Sequence, residues 1–120
     1  MPKTSRNNRI DFIELPVNTK ADLTRAKAFY SGVFGWSYQD WGDDYADSRD
    51  SGIGSGLNAE ADHRSSAPLV VIYADGLEAL RTKVLAAHGV ITRDIFAFPG
   101  GRRFHFKDPA GNELAAWSDH

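Results

Sequence analysis

Leu69-Val70-Val71-Ile72-Tyr73 is a continuous apolar run, and Asp75-Gly76-Leu77-Glu78-Ala79-Leu80 follows it almost at once. An unbroken run of this length, rich in β-branched residues, suits a strand buried on both faces. Asp75 with Glu78 three residues later has the pattern of a capping box, which predicts that a helix opens here. Leu77, Leu80, Val84 and Leu85 supply that helix with a buried stripe, and His88-Gly89 ends it. Three further strands are expected at 90–95, 103–107 and 113–118. They are separated by turns at Pro99-Gly100-Gly101 and Asp108-Pro109-Ala110-Gly111.

The same order occurs earlier in the chain. Residues 9–17 alternate, with Ile13, Leu15 and Val17 on one face and Ile10, Phe12, Glu14 and Pro16 on the other. Asn18 or Thr19 then caps a helix whose stripe is Leu23, Ala26, Phe29/Tyr30 and Val33, and Gly35 stops it. Short strands are expected at about 36–41, 45–49 and 53–57, and a polar linker at about 59–68. A strand, a helix and three strands therefore occur twice, in modules spanning about 9–58 and 67–118. Neither module is long enough to bury its own sheet well. The expectation is a single domain over residues 1–120, of the α+β class, in which two β-α-β-β-β modules form a cupped mixed sheet around a cavity with the helices outside.

Bulk properties narrow the function. A chain of 120 residues has room for little more than one core. No apolar run approaches the roughly 20 residues that span a bilayer, so no membrane partner is expected. Lys and Arg total 14 against 16 Asp and Glu, a net charge of −2, and the basic residues are scattered, which argues against nucleic acid. The polar start, Met1 to Asn8, lacks the apolar core of a signal peptide. A short frayed terminus and a cytoplasmic location are expected. The absence of cysteine excludes disulfides, thiolate metal sites and a thiol nucleophile.

Two segments carry a family resemblance. Phe29-Tyr30-Ser31-Gly32-Val33-Phe34-Gly35-Trp36 and Asp108-Pro109-Ala110-Gly111-Asn112 resemble the FY-x-x-x-FGW and DP-x-GN motifs of the vicinal-oxygen-chelate superfamily. That superfamily includes glyoxalase I, extradiol dioxygenases, and fosfomycin- and bleomycin-resistance proteins. The resemblance runs from about residue 9 to residue 118. Enzymes of this kind hold a divalent metal with His, Gln or Glu from the first and last strand of each module. Carried over by position, those sites fall on Phe12, Leu69, Ala115 and either Gly56 or Leu57. None of these offers a donor atom, so no metal and no cofactor are expected.

By the same resemblance, Arg103 and His105 line the site. Glu113 and Trp117 share the face of Ala115, and Glu14 shares that of Phe12. The expected ligand-binding set is thus Phe12, Glu14, Leu69, Arg103, His105, Glu113, Ala115 and Trp117, with His105 a weak catalytic candidate as an acid or base. The alternative is that this polar face is the solvated side of the sheet. The leading functional expectation is metal-independent binding of a small organic ligand by a homodimer, as in the bleomycin-resistance branch. A lyase- or dioxygenase-type enzyme with an atypical metal set, such as Glu14, His105 and Glu113, or with an acid–base site is the competing one. Ser55 in Gly-Ile-Gly-Ser-Gly lacks the strand-to-helix turn and orienting histidine of a nucleophile elbow. His63, His88 and His120 show no ligand spacing.

Overall fold

The order of elements in the computed structural model, which describes residues 6–120, is the twofold repeat expected from the sequence. The first module comprises β1 (Arg9–Pro16), α1 (Lys20–Phe34), β2 (Gln39–Asp40), β3 (Tyr45–Ser48) and β4 (Gly54–Asn58). The second comprises β5 (Leu69–Tyr73), α2 (Leu77–Ala86), β6 (Val90–Phe98), β7 (Gly101–Lys107) and β8 (Glu113–Ser118). Both follow one topology. The opening strand runs parallel to the last, β1 with β4 and β5 with β8, and the remaining strands add antiparallel as β4-β3-β2 and β8-β7-β6. Parallel pairing of first and last strands requires a crossover, which the helix of each module provides. The class is α+β with mixed sheets, as expected.

By spatial clustering the chain divides into two compact units. One is Phe12–Leu69, and the other is Val70–His120 together with the described residues 6–11. The first residues of β1 thus belong with the second module. Asn8 N–H donates to the Tyr73 carbonyl (2.8 Å), the Asn7 side chain accepts from Asp75 N–H (2.8 Å), and the Trp117 indole donates to Asp11 (3.0 Å). The frayed terminus expected over Met1 to Asn8 is therefore wrong at Asn7 and Asn8, which are hydrogen-bonded. Met1 to Ser5 lie outside the described residues.

In the first unit α1 begins at the N-cap Thr19, whose hydroxyl accepts from Asp22 N–H (3.0 Å). It ends at Gly35, which adopts φ 76°, the left-handed conformation that glycine takes without steric cost. Leu23 is buried against Ala46 and Leu57, with Ala26 and Tyr30 at the margin. Phe29 and Val33, expected in this stripe, are more than half exposed because the contact with the sheet uses the Leu23–Ala26–Tyr30 line. Trp36 stacks on Tyr30 (centroids 5.3 Å apart), and Tyr38 packs on the core. β2 is only two residues long, shorter than the strand expected at 36–41.

In the second unit α2 packs Leu77, Leu80 and Val84 onto Phe104 and Ala116. Leu85, expected in that stripe, is 46% exposed. The anticipated capping box does not form. The N-cap is Gly76, with no side-chain cap, and Glu78 instead pairs with Arg102 on β7. An ion pair across to the neighbouring strand competes successfully for a carboxylate that would otherwise fold back on its own helix. The Asp108 turn is fully knit: its carboxylate accepts from Ala110 N–H (2.9 Å), Asn112 N–H (2.9 Å) and Asn112 Nδ2 (3.0 Å), which holds it below the usual carboxylate range.

Candidate functional site

The strand pairings sort each sheet into a face covered by its helix and a face turned away from it. In the first module Leu15, Ala46 and Leu57 face α1. Register places Glu14 opposite Gly56, Gly56 opposite Asp47, and Asn58 opposite Tyr45, so Phe12, Glu14, Gly56, Asn58 and Tyr45 share the other face. Of the two residues proposed for the β4 position, Gly56 is therefore the one on the face of Phe12, and Leu57 belongs to the core. Glu14 is only 2% exposed. Its carboxylate accepts from the Tyr45 hydroxyl (2.8 Å) and from Asn58 Nδ2 (3.0 Å). A Cβ built on Gly56 would stand 2.4 Å from the Tyr45 hydroxyl oxygen and 2.9 Å from the end of the Phe12 ring. Aromatic side chains occupy the space that a donor side chain from β4 would need.

In the second module Phe104 and Ala116 lie beneath α2. Arg103 pairs opposite Trp117 and Phe96, and His105 opposite Ala115 and Arg93. Leu69, Val71 and Tyr73 alternate onto the same side as Ala115 and Trp117. Arg103 is 9% exposed and His105 4%, which discards the solvated-face alternative for these residues. The Arg103 guanidinium lies 5.5 Å from the Phe96 ring centroid and 5.9 Å from that of Phe98, within reach of cation–π attraction. The Phe98 ring is 6.3 Å from Trp117, and the Phe96 ring 5.9 Å from His105. His105 Nδ1 lies 3.8 Å from Glu113 Oε2, too far for a direct hydrogen bond, while Thr92 donates to that same oxygen at 2.8 Å.

At the edge of this face the Tyr73 hydroxyl donates to Asp119 (2.8 Å), and burial pushes the phenol pKa up. Asp119 is held at about 2, first by the His120 imidazole (2.8 Å), then by Tyr73 and by Arg6. His120 also reaches the Asp75 carbonyl (2.9 Å), and these two partners raise its pKa.

Arg103, His105, Glu113, Ala115 and Trp117 thus come together on adjacent strands of one module, with Leu69 on the same side of β5. Phe12 and Glu14 lie side by side in the other. Phe96, Phe98, Tyr45 and Asn58 were not anticipated. For Phe96 and Phe98 the expected strand stopped at residue 95, whereas β6 continues to Phe98 through register shifts that no periodicity announces. Among the described residues, no group of three His, Asp or Glu side chains is arranged to hold a metal ion. Phe12, Gly56, Leu69 and Ala115, the positions to which the resemblance assigns the metal ligands, carry no donor side chain and do not fit such an ion.

The model of the glyoxalase/bleomycin resistance protein/dioxygenase superfamily matches residues 9–116. The chain belongs to that superfamily. No curated protein matches it in sequence. Among solved structures, the Mn(II)-bound glyoxalase of Novosphingobium aromaticivorans is 25% identical with TM-score 0.66, over 95% of this chain and 40% of that one. This chain therefore spans two fifths of that glyoxalase's length. A Legionella pneumophila protein named as an NAD-dependent benzaldehyde dehydrogenase has TM-score 0.72 at 13% identity, over 89% of this chain and 96% of that one. Methylmalonyl-CoA epimerase of Mycobacterium tuberculosis has TM-score 0.66 at 13% identity, over 98% and 92%. The last two likenesses are of fold alone.

Proposed function

We propose that this superfamily member binds a small organic molecule without a metal ion, on the face of the second module that carries Arg103, His105, Glu113 and Trp117. The observation that carries this reading is a buried guanidinium ringed by Phe96 and Phe98, with Trp117 beside it. A cation set among apolar rings suits a ligand with a flat apolar body and an anionic group. Ala115 and Leu69, two of the positions to which the resemblance assigns metal ligands, are buried and carry only apolar side chains.

A thermal-shift screen of small aromatic acids tests the proposal. A hit should raise the melting temperature of the wild type, and Arg103→Ala and Trp117→Ala should abolish that rise. A rise that survives both substitutions, or the absence of any hit across the set, would overturn it.

A second reading has one specific observation in its favour. Thr92 holds the Glu113 carboxylate 3.8 Å from His105 Nδ1, close enough to favour a charged imidazole but not hydrogen-bonded to it, and such a pair can serve acid–base chemistry once the gap closes. Turnover of a bound compound that is lost in His105→Gln would establish it. Homodimerisation is part of the proposal. Phe29, Val33, Phe34 and Trp41 are each more than half exposed and offer apolar surface for a second copy. A dimer mass by light scattering is expected, and a monomer mass would remove this part.

A further inference from the structure

The segment after β4, which reads in sequence as a plain linker, forms one wall of a cavity of about 600 Å³ in the first unit. Its lining is Pro16, Asn18, Ala61, Arg64, Ser65 and Ser66. Pro16 and Asn58 are paired at the carboxyl ends of the parallel strands β1 and β4, so the cavity opens where both strands finish. Three features of this place suit an anionic ligand.

The first is Arg64. Among the described residues its guanidinium makes one hydrogen bond, from Nη1 to the Ala59 carbonyl (3.3 Å), and no carboxylate pairs with it. A guanidinium offers five N–H donors in a planar fork, so most of the capacity of this cavity-lining one is left for a ligand or solvent. The second is Ser65, whose hydroxyl oxygen is buried and has no hydrogen-bond partner. Buried polar atoms are nearly always paired, and an orphan at a cavity wall marks the place where a missing partner sits. The third is position. Asn18 directly precedes Thr19, the N-cap of the 15-residue helix α1, whose positive dipole end favours an anion nearby.

We propose that this cavity binds the phosphate group of a small organic phosphate. Arg64 supplies the charge and one face of donors, while the Ser65 and Ser66 hydroxyls and the Asn18 amide supply neutral donors. A tetrahedral oxyanion with several acceptor oxygens matches that set better than a planar carboxylate does. The volume exceeds what inorganic phosphate fills, and Pro16 and Ala61 give the organic remainder an apolar wall. This site lies wholly in the first unit and does not depend on the ligand-binding reading for Arg103.

The test is an amide-resolved NMR titration of the whole chain with inorganic phosphate, against sodium chloride at matched ionic strength and against acetate. Saturable shifts are expected at Asn18, Arg64, Ser65 and Ser66 with phosphate, and at least fivefold weaker binding with acetate. Arg64→Ala should weaken phosphate binding at least tenfold. Ser65→Ala should weaken it severalfold while leaving the unliganded melting temperature unchanged or higher, since the hydroxyl has no partner to lose. Shifts that do not saturate, that appear equally with chloride or acetate, or that persist in Arg64→Ala would overturn the proposal. So would a Ser65→Ala protein that binds phosphate like the wild type.

Discussion

The Tyr45 hydroxyl and the Glu14 carboxylate are 2.8 Å apart on the face of the first module turned away from α1, the hydroxyl donating. Asn58 Nδ2, on the adjacent strand β4, donates to the other carboxylate oxygen, and Tyr45 reaches Glu14 from β3, one strand further away. Removing the Tyr45 hydroxyl takes one donor away from this buried carboxylate. Tyr45→Phe should therefore lower stability by about 1–3 kcal/mol with the ring still in place, measured by urea unfolding at constant m-value. A loss below a few tenths of a kcal/mol would show that Glu14 does not depend on this bond.

Gly56 makes a second prediction about the same face. A methyl group there would meet the Tyr45 hydroxyl at 2.4 Å and the Phe12 ring at 2.9 Å, and the hydroxyl is itself held by Glu14. Gly56→Ala should cost about 1–3 kcal/mol through overpacking. Unfolding of Gly56→Ala in the Tyr45→Phe background separates the two contacts, because removing the hydroxyl relieves the shorter one. The double variant should lose less than the sum of the singles.

The His120–Asp119 pair predicts a pH dependence with a definite sign. His120 has a raised pKa, first from Asp119 and then from the Asp75 carbonyl. Its contribution is complete below the ordinary histidine value of about 6.5 and is lost as pH rises through the folded-state value. Asp119, depressed to about 2, contributes above the ordinary carboxylate value of about 4 and loses that contribution as pH falls towards 2. Both side chains are solvent-accessible, so the effect is small. Melting temperatures of wild type and His120→Ala should differ most between pH 4 and 6 and converge on the alkaline side. A difference that grows with rising pH would contradict the assignment.

Much of this was legible in the sequence because period and punctuation agreed. β5 and β8 have the expected bounds, since Leu69–Tyr73 and Glu113–Ser118 are flanked by Pro68, Asp75 and the Asp108 turn. Alternation alone placed Arg103 and His105 on one face and Phe104 and Phe106 on the other, as the pairing with β8 bears out. What failed was decided by tertiary contact. Glu78 reads as a capping residue until Arg102 is brought beside it, and Phe29 reads as core until the line along which α1 meets its sheet is known. Phe96 and Phe98 were missed because β6 shifts register twice, and Arg64 and Ser65 because a linker has no period to read.

The central proposal is that this member of the superfamily works without a chelated metal, because Phe12, Gly56, Leu69 and Ala115, the positions to which the resemblance assigns the metal ligands, offer no donor atom. The most direct test is elemental analysis of untagged protein, before and after incubation with zinc, nickel, manganese and iron followed by desalting. The account predicts well under one tenth of an ion per chain for every metal and no change in melting temperature. About one ion per chain, retained on desalting and lost to a chelator, would contradict it.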